Sequence, residues 1–321
     1  MPIGTRARYV GAGLSAVPRG DVWSPMPMAD QEHVVLRPGA PLTRIMYSPA
    51  GWGGDRCNHT GRVLARVPVP SGYTVPSSKL NESAAFLRPD GRTLVQLQPF
   101  ARCSARGVGT GLALYPRVSL YGKGIVGAHG GSGLSTLGGT LRVGELRPSK
   151  RAPRHALKVL VDAATELRPC STRSACFRWP AIKADSYAVG YYGSVSGSAP
   201  TAMRMGALLA IPRTVSLNSL GLRSAPGKKL AWTLRNYGAY VVDDTSAPGF
   251  GFATEKGPAG SFTAQFRADY GTSFAARAND HTRWEHDIKA IVSHLSVVAN
   301  NGPKRIGGGG TPLQPLAPHL R

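Results

Sequence analysis

The sequence predicts a mainly β protein, an antiparallel β-sandwich of jelly-roll-like form with one or two covering α-helices. The chain of 321 residues contains 40 glycines and 26 prolines. They are spread between short apolar runs, as is typical of many turns that join short strands. The hydrophobic content of 42% is sufficient for a core at this length. Helical periodicity, in contrast, occurs only twice and late in the chain.

Three regions follow from the distribution of these patterns. Residues 1–55 are interrupted by proline and glycine and have little periodicity, so we interpret them as an extended N-terminal arm packed on the body. Residues 56–300 are predicted to form a single β-sandwich domain. Residues 301–321 contain four consecutive glycines and several prolines, and are predicted to be a C-terminal tail.

The strands of the body are predicted in chain order from alternating or continuous apolar runs. Pro89-Asp90-Gly91 stands between two such runs and predicts a β-turn, hence a hairpin. The segments predicted to form strands are RVLARVPVP, AAFLRPDGRTLVQLQPFA (the hairpin), LALYPRVSLYG, TLRVGEL and HALKVLVDA. In the last of them, alternation places His155 on the same face as Leu157, Val159 and Val161.

Two helices are predicted from apolar residues spaced three or four apart. Leu230, Leu234 and Tyr237 mark the first, which leads into the strand AYVVDD. The second contains Trp284, Ile288, Ile291 and Leu295 on one face. Both patterns indicate core packing.

The net charge of +22 arises from 39 basic and 17 acidic residues and favours anionic partners. The basic residues are scattered, however, and neither a zinc finger nor a basic recognition helix is present, which argues against nucleic acid as the partner. No apolar run approaches the eighteen or so residues that a membrane span requires.

Four cysteines indicate two disulfides. None is part of a C-x-x-C pair, which argues against structural zinc. Cys170 and Cys176 bracket a short loop, so Cys57 and Cys103 are the remaining pair. The even count and the sequons at Asn58 and Asn81 favour a secreted or extracytoplasmic protein, although residues 1–20 lack the apolar core of a signal peptide.

The segment 127–146, GAHGGSGLSTLGGTLRVGEL, is the most distinctive of the chain. Five of the ten residues from Gly130 to Gly139 are glycine. The loop lacks the lysine of a P-loop, and no G-x-S-x-G elbow accompanies His129-Gly-Gly, so neither a triphosphate site nor a lipase-type site is predicted. We interpret the loop as a wall that permits close backbone approach. No metal and no cofactor are predicted.

Polar residues that share a face with apolar neighbours are the catalytic candidates. Glu145 is predicted on the apolar face of a strand, where a protonated carboxyl would suit a general acid. Its candidate partner is an acid at the end of another strand or in a nearby loop. The catalytic candidates are Glu145, Asp243, Asp244, Asp185, His155 and His129. The alternatives are an ion pair between Glu145 and an arginine, a turn or helix cap at Asp243-Asp244-Thr245, and core or loop roles for the histidines.

Aromatic and basic residues are the predicted substrate contacts. The segment from Phe177 to Tyr192 is rich in aromatic side chains, on which sugar rings or bases stack unless they fill the core. The substrate-binding candidates are Arg142, Trp179, Lys183, Tyr187, Tyr191 and Tyr192.

These features together predict a secreted glycoside hydrolase that acts on a polysaccharide by a paired-carboxylate mechanism. The positive charge favours an anionic polysaccharide. The first alternative is a lyase on an acidic glycan, in which Arg142 neutralises a uronate while His129, His155 or Tyr187 removes the adjacent proton. The second is a non-enzymatic structural, adhesive or polyanion-binding protein. Its arm and tail would then join copies into a homo-oligomer.

Overall fold

Thirteen strands form one mixed β-sheet in the computed structural model, which describes residues 1–14, 27–197, 199–275 and 280–316. Parts of the predicted arm (15–26) and of the predicted tail (317–321) lie outside the described residues. The strands are β1 (Tyr9–Gly11), β2 (Pro27–Val35), β3 (Leu42–Tyr47), β4 (Val63–Pro68), β5 (Ala84–Leu87), β6 (Thr93–Ala101), β7 (Gly109–Ser119), β8 (Leu157–Val161), β9 (Leu208–Ala210), β10 (Ala239–Asp244), β11 (Phe250–Gly257), β12 (Gly260–Ser261) and β13 (Ser296–Val298).

The strand order in the sheet is β1-β13-β9-β10-β8-β11-β2-β5-β6-β7-β3-β4, with β12 paired to β11. Parallel and antiparallel pairs alternate at its centre: β10 and β2 run parallel to β8 and β11 respectively, whereas β11 and β8 are antiparallel. The sheet is therefore mixed, whereas the turn-rich sequence predicted an antiparallel one. The crossovers that parallel pairing requires are long and irregular here, so they leave no clear sequence signature.

The prediction of a mainly β protein is confirmed, with 28% of residues in strands and 16% in helices. The helices are α1 (Ala163–Glu166), α2 (Ala188–Tyr191), α3 (Ala225–Asn236), α4 (Phe262–Tyr270) and α5 (Arg283–Ser293). Both predicted helices are present as α3 and α5. Ser224 and Thr282 cap their N-termini through side-chain oxygens. The sandwich and jelly-roll arrangement stays a prediction.

The predicted hairpin is confirmed as β5 and β6, which pair antiparallel around the turn at Pro89-Asp90-Gly91. The Asp90 carboxylate accepts hydrogen bonds from the backbone N–H groups of Arg92 and Thr93, both 2.8 Å long. Gly91 has φ +65°, a conformation that costs glycine little. Local turn chemistry thus fixes this pair of strands.

The predicted strand at 140–146 is absent. Only Leu141 makes a bridge, to Thr254, and residues 143–146 form a turn. Gly144 has φ +98°, and the backbone N–H of Glu145 donates to the carbonyl of Arg142 at 3.0 Å. Because the turn breaks the alternation of faces, Glu145 does not lie on the apolar face of a strand.

The described parts of both terminal regions pair with other parts of the fold. The predicted arm contains β2 and β3, which are interior strands of the sheet. At the other end, the backbone N–H of Leu313 donates to the carbonyl of Ile3 at 2.8 Å, and Gly4 bridges Pro312. The division of the chain into arm, body and tail remains a prediction.

Both predicted disulfides, Cys57–Cys103 and Cys170–Cys176, are confirmed. This pairing is consistent with an extracellular protein, because disulfides persist in oxidising compartments. Among the helices that the described ranges contain, none has the length and apolar character needed to cross a membrane.

Candidate active site

A cluster of buried charged side chains lies on the central strands β2, β8 and β10. Asp30 and Glu32 come from β2, Lys158 from β8, and Asp243 and Asp244 from the end of β10. His129, from the glycine-rich loop, lies among them and is fully buried. Because charged groups are rarely buried without a partner, the contacts within this cluster determine what it can do.

Lys158 and Glu32 form the base of the cluster. β8 and β2 both flank β11, so the two side chains approach each other across that strand. The Nζ of Lys158 lies 3.1 Å from Oε1 of Glu32 and also donates to the carbonyls of Ser135 and Thr136, at 3.0 and 2.8 Å. The ammonium group therefore has three acceptors. It balances the Glu32 carboxylate and holds the glycine-rich loop against the sheet.

His129 lies between two carboxylates. Its Nε2 is 2.9 Å from Oε1 of Glu32, and its Nδ1 is 3.5 Å from Oδ2 of Asp243. Burial works to lower the pKa of His129, but the Glu32 carboxylate, supported by Asp243, outweighs it and raises the pKa to about 9. The ring is then an imidazolium at neutral pH, which makes it a positive charge rather than a general base.

Asp243 is surrounded by donors. Its Oδ1 accepts hydrogen bonds from the backbone N–H groups of Gly131 (2.9 Å) and Asp244 (3.0 Å), and its Oδ2 accepts one from Nδ2 of Asn81 (3.0 Å). The pairing of β10 with β8 shifts register between Val241 and Asp243. Such a bulge re-aims side chains at a strand end, and here both consecutive aspartates are buried.

Asp185 approaches Asp243 from the loop that precedes α2. Its Oδ2 accepts a hydrogen bond from the Tyr192 hydroxyl at 2.6 Å. Burial, followed by repulsion from the Asp243 carboxylate, raises the pKa of Asp185 to about 7. A fraction of Asp185 therefore stays protonated near neutral pH, next to the Asp243 carboxyl group and its three hydrogen-bond donors.

The glycine-rich loop brings the two aspartates together. A Cβ at Gly131 would lie 2.6 Å from Oδ2 of Asp185 and 3.0 Å from Oδ1 of Asp243, so these oxygens are within about 6 Å of each other. A Cβ at Gly130 would lie only 1.8 Å from Oδ2 of Asp243. The sequence-based interpretation of the loop as a closely approaching wall fits these distances.

Substitution of Gly130 by alanine is expected to displace the Asp243 carboxylate, because the new methyl group and Oδ2 cannot occupy positions 1.8 Å apart. We expect a loss of stability of about 1–3 kcal/mol, the usual cost of overpacking a core. Gly72→Ala is the control, since neither glycine has a positive φ and no atom lies within 4 Å of a Cβ added at Gly72. Equal urea midpoints for the two variants would contradict this account.

Tyrosines form the outer edge of the cluster. The Tyr187 hydroxyl donates to Oδ2 of Asp244 at 3.1 Å, and the Tyr187 and Tyr191 rings meet edge to face at 5.2 Å. Tyr187 is 46% exposed. Burial and the Asp185 carboxyl raise the pKa values of Tyr187 and Tyr192, so both are phenols at neutral pH.

Several residues singled out from the sequence meet at this site: Asp185, Asp243, Asp244, His129, Tyr187, Tyr191 and Tyr192. Two more belong to the loop that leads to it. Lys183 is half-buried and its charge acts on Asp185, and Trp179 is half-buried at the start of the same loop.

Glu145, His155 and Arg142 form a network of their own. Nε2 of His155 lies 2.9 Å from Oε1 of Glu145, and Nε of Arg142 donates to Oε2 of Glu255 at 2.7 Å. Burial works to raise the pKa of Glu145, but His155 and the backbone N–H of Arg142 lower it overall. A carboxyl with a lowered pKa is a poor general acid, so these contacts favour an ion pair for Glu145, with His155 in place of the arginine that the sequence suggested.

Sequence reasoning missed Asp30, Glu32, Asn81 and Lys158. A usable signal existed in PMADQEHVV, where alternation places Asp30 and Glu32 on the same face of one strand. Lys158, within the apolar run LKVLV, was another signal, because a lysine in a fully buried strand needs a carboxylate partner. Nothing local in the sequence indicates that Asn81 reaches β10.

Asp30, His129 and Asp243 are the group whose ligand atoms lie close enough to share a metal ion, within 4.8 Å of one another, in the ranges that the structure covers. Each of these atoms already faces a partner from the chain. Nδ2 of Asn81 is 3.0 Å from Oδ2 of Asp243 and 3.4 Å from Oδ2 of Asp30, and the His129 nitrogens face carboxylates. The lysine and the imidazolium offset part of the carboxylate charge, and the Asn81 amide contacts two of the carboxyl groups.

The arrangement offers proton transfer and nucleophilic attack by carboxyl groups at one place. Comparison of the chain with protein-family models, with curated proteins and with solved structures finds no match.

Proposed function

We propose that this protein is a secreted glycoside hydrolase that cleaves a polysaccharide with Asp185 as general acid and Asp243 as nucleophile. The observation that carries the proposal is the pairing of two neighbouring carboxyl groups in different electrostatic surroundings. Asp185 has its pKa raised to about 7, and Asp243 accepts three hydrogen bonds beside an imidazolium. Paired carboxyl groups whose environments differ in this way divide the roles of acid and base.

The short separation favours a retaining mechanism. Retaining enzymes hold their carboxyl groups roughly 5–5.5 Å apart, whereas inverting enzymes leave room for a water molecule between carboxyl and sugar. Asp243 attacks the anomeric carbon while Asp185 gives its proton to the departing glycosidic oxygen. Water, deprotonated by Asp185, then releases the sugar from Asp243. Oδ2 of Asp185 and Oδ1 of Asp243 lie no more than about 6 Å apart, which fits this scheme.

The raised pKa values of the candidate bases favour hydrolysis over elimination. A lyase needs a neutral histidine or a readily ionised tyrosine as its base. Tyr187 and Tyr192 have raised pKa values, and His129 is held as a cation between carboxylates. His155, the other candidate, has a raised pKa beside Glu145. None of these groups is poised to remove a proton.

The surroundings support a sugar polymer as the substrate. Tyr187 and Tyr191 offer aromatic faces beside Asp244, and pyranose rings stack on such faces through their C–H bonds. The net charge of +22 would also attract an anionic polysaccharide. Two disulfides agree with secretion.

The test is incubation of the wild-type protein and Asp243→Asn with a panel of neutral and uronic polysaccharides. We expect new reducing ends with the wild type and none with the variant. Nuclear magnetic resonance of the first product should show retention of the anomeric configuration. Absorbance from unsaturated ends would replace hydrolysis by elimination, and the absence of cleavage across the panel would overturn the proposed function.

A further inference from the structure

We propose that Trp52 is a sugar-binding platform immediately beside the carboxylate pair, and that Asn81 couples this platform to Asp243. This inference rests on the proposed function, whose substrate-binding side it identifies. Trp52 is a large aromatic side chain, 43% exposed, in the segment GWGGD. The ligand it fits is a pyranose unit that lays its C–H face on the indole.

Hydrogen bonds connect the indole to the cluster. Nε1 of Trp52 donates to Oδ1 of Asn81 at 3.1 Å, and Nδ2 of the same amide donates to Oδ2 of Asp243 at 3.0 Å. The two bonds share one planar amide group, so the indole nitrogen lies within about 8 Å of the carboxylate. A sugar stacked on Trp52 is thus placed next to the one whose anomeric carbon faces Asp243.

Hydrogen bonds from Arg56 and a disulfide hold the segment that contains Trp52 in place. Arg56 is almost fully buried, and its guanidinium donates to the carbonyl of Gly51 (Nε, 2.8 Å) and to that of Leu80 (Nη2, 2.5 Å). One side chain therefore clamps both the residue before Trp52 and the residue before Asn81. The neighbouring disulfide Cys57–Cys103 anchors the same segment.

A rigid exposed indole is what a binding platform requires. An exposed tryptophan on a free loop would lose conformational entropy on binding a ligand, whereas a side chain that is already held loses little. Here a buried arginine, a disulfide and a hydrogen bond hold it. Asn81 is a positioning residue in this arrangement, because it holds the Asp243 carboxylate and the indole in a fixed relation.

Binding without turnover tests the platform. The Asp185→Asn protein serves as the parent, and hexasaccharides of the β-glucan, xylan, chitin and α-glucan types are titrated by calorimetry with tryptophan fluorescence as a second readout. Replacement of Trp52 by alanine in this parent should weaken binding about tenfold, in line with the loss of one aromatic stack. Trp52→Phe should restore most of it, since phenylalanine keeps an aromatic face.

Tyr121→Ala is the matched control, because Tyr121 is an aromatic residue, 51% exposed, that the site does not include. If Trp52→Ala and Tyr121→Ala bind as the parent does, the platform is overturned even where hydrolysis is observed. If binding depends on Trp52 but the wild type cleaves nothing, the proposed function fails and the platform stands. If no hexasaccharide binds the parent at millimolar concentration, the platform is overturned as well.

Discussion

Replacement of Asp185 by asparagine should lower kcat about 10²- to 10⁴-fold on a natural glycosidic linkage, the range that general acid catalysis contributes. The sugar alcohol that departs is a poor leaving group and needs the proton that Asp185 supplies. A nitrophenyl glycoside has a leaving group that departs without protonation. On that substrate the first step should therefore be much less affected, and single-turnover release of nitrophenol measures it.

The pH dependence of the rate is an independent test of Asp185 as the general acid. Asp185 is protonated below its raised pKa of about 7 and loses its proton above it. The rate with the natural linkage should therefore fall as the pH rises through about 7, and this limb should vanish in Asp185→Asn. A limb that persists in the variant would assign the acid to another group.

Three further variants distinguish the Asp185–Asp243 site from an active site built on Glu145. Asp243→Asn should be inactive on both substrates, because no covalent intermediate can form. Glu145→Gln should retain most of the activity, since Glu145 is ion-paired with His155. Asp269→Asn, on α4, is the control for removal of a partly exposed acid. A Glu145→Gln variant as inactive as Asp185→Asn would restore the acid that the sequence alone suggested.

Local patterns predicted the elements of this fold, and non-local pairing determined the rest. The β5–β6 hairpin follows from the turn Pro89-Asp90-Gly91, and α3 and α5 follow from their apolar spacing and their caps. The parallel contacts of β2 with β5 and β11 join segments far apart in the chain, so no short-range pattern indicates them. The predicted strand at 140–146 failed because Gly144 takes a positive φ and turns the backbone.

The sequence indicates those site residues that stand at the end of a strand or within the aromatic segment. Asp243 and Asp244 close an apolar strand, and Asp185 lies in the aromatic segment, so all three were candidates. Glu145 was preferred because alternation, applied to a segment that is a turn, placed it on an apolar face. Asn81 reaches Asp243 across 162 positions of sequence. Only the arrangement of the central strands brings Asn81 and Asp243 together.

Lys158→Met should be the most destabilising of the single substitutions considered, by about 3–5 kcal/mol, because it removes one of the two cations that contact the buried Glu32 carboxylate and leaves only His129. Native proteins have a total stability of about 5–15 kcal/mol, so a loss of this size is a large part of it. The lysine also holds the carbonyls of Ser135 and Thr136, and these acceptors lose their donor. Urea unfolding, followed by circular dichroism, measures the change in midpoint.

The double variant Lys158→Met with Glu32→Gln distinguishes an unpaired charge from a loss of packing. Glutamine is neutral, so removal of both charges should return a substantial part of the lost stability, and the double-mutant cycle should yield a coupling energy above about 1 kcal/mol. Arg147→Met is the control: Nε of Arg147 lies 3.9 Å from Oδ2 of Asp269, the two side chains are 50% and 23% exposed, and such surface pairs contribute less than about 1 kcal/mol. If Lys158→Met costs no more than Arg147→Met, the buried pair does not balance the cluster, and His129 alone would have to compensate the carboxylates of β2 and β10.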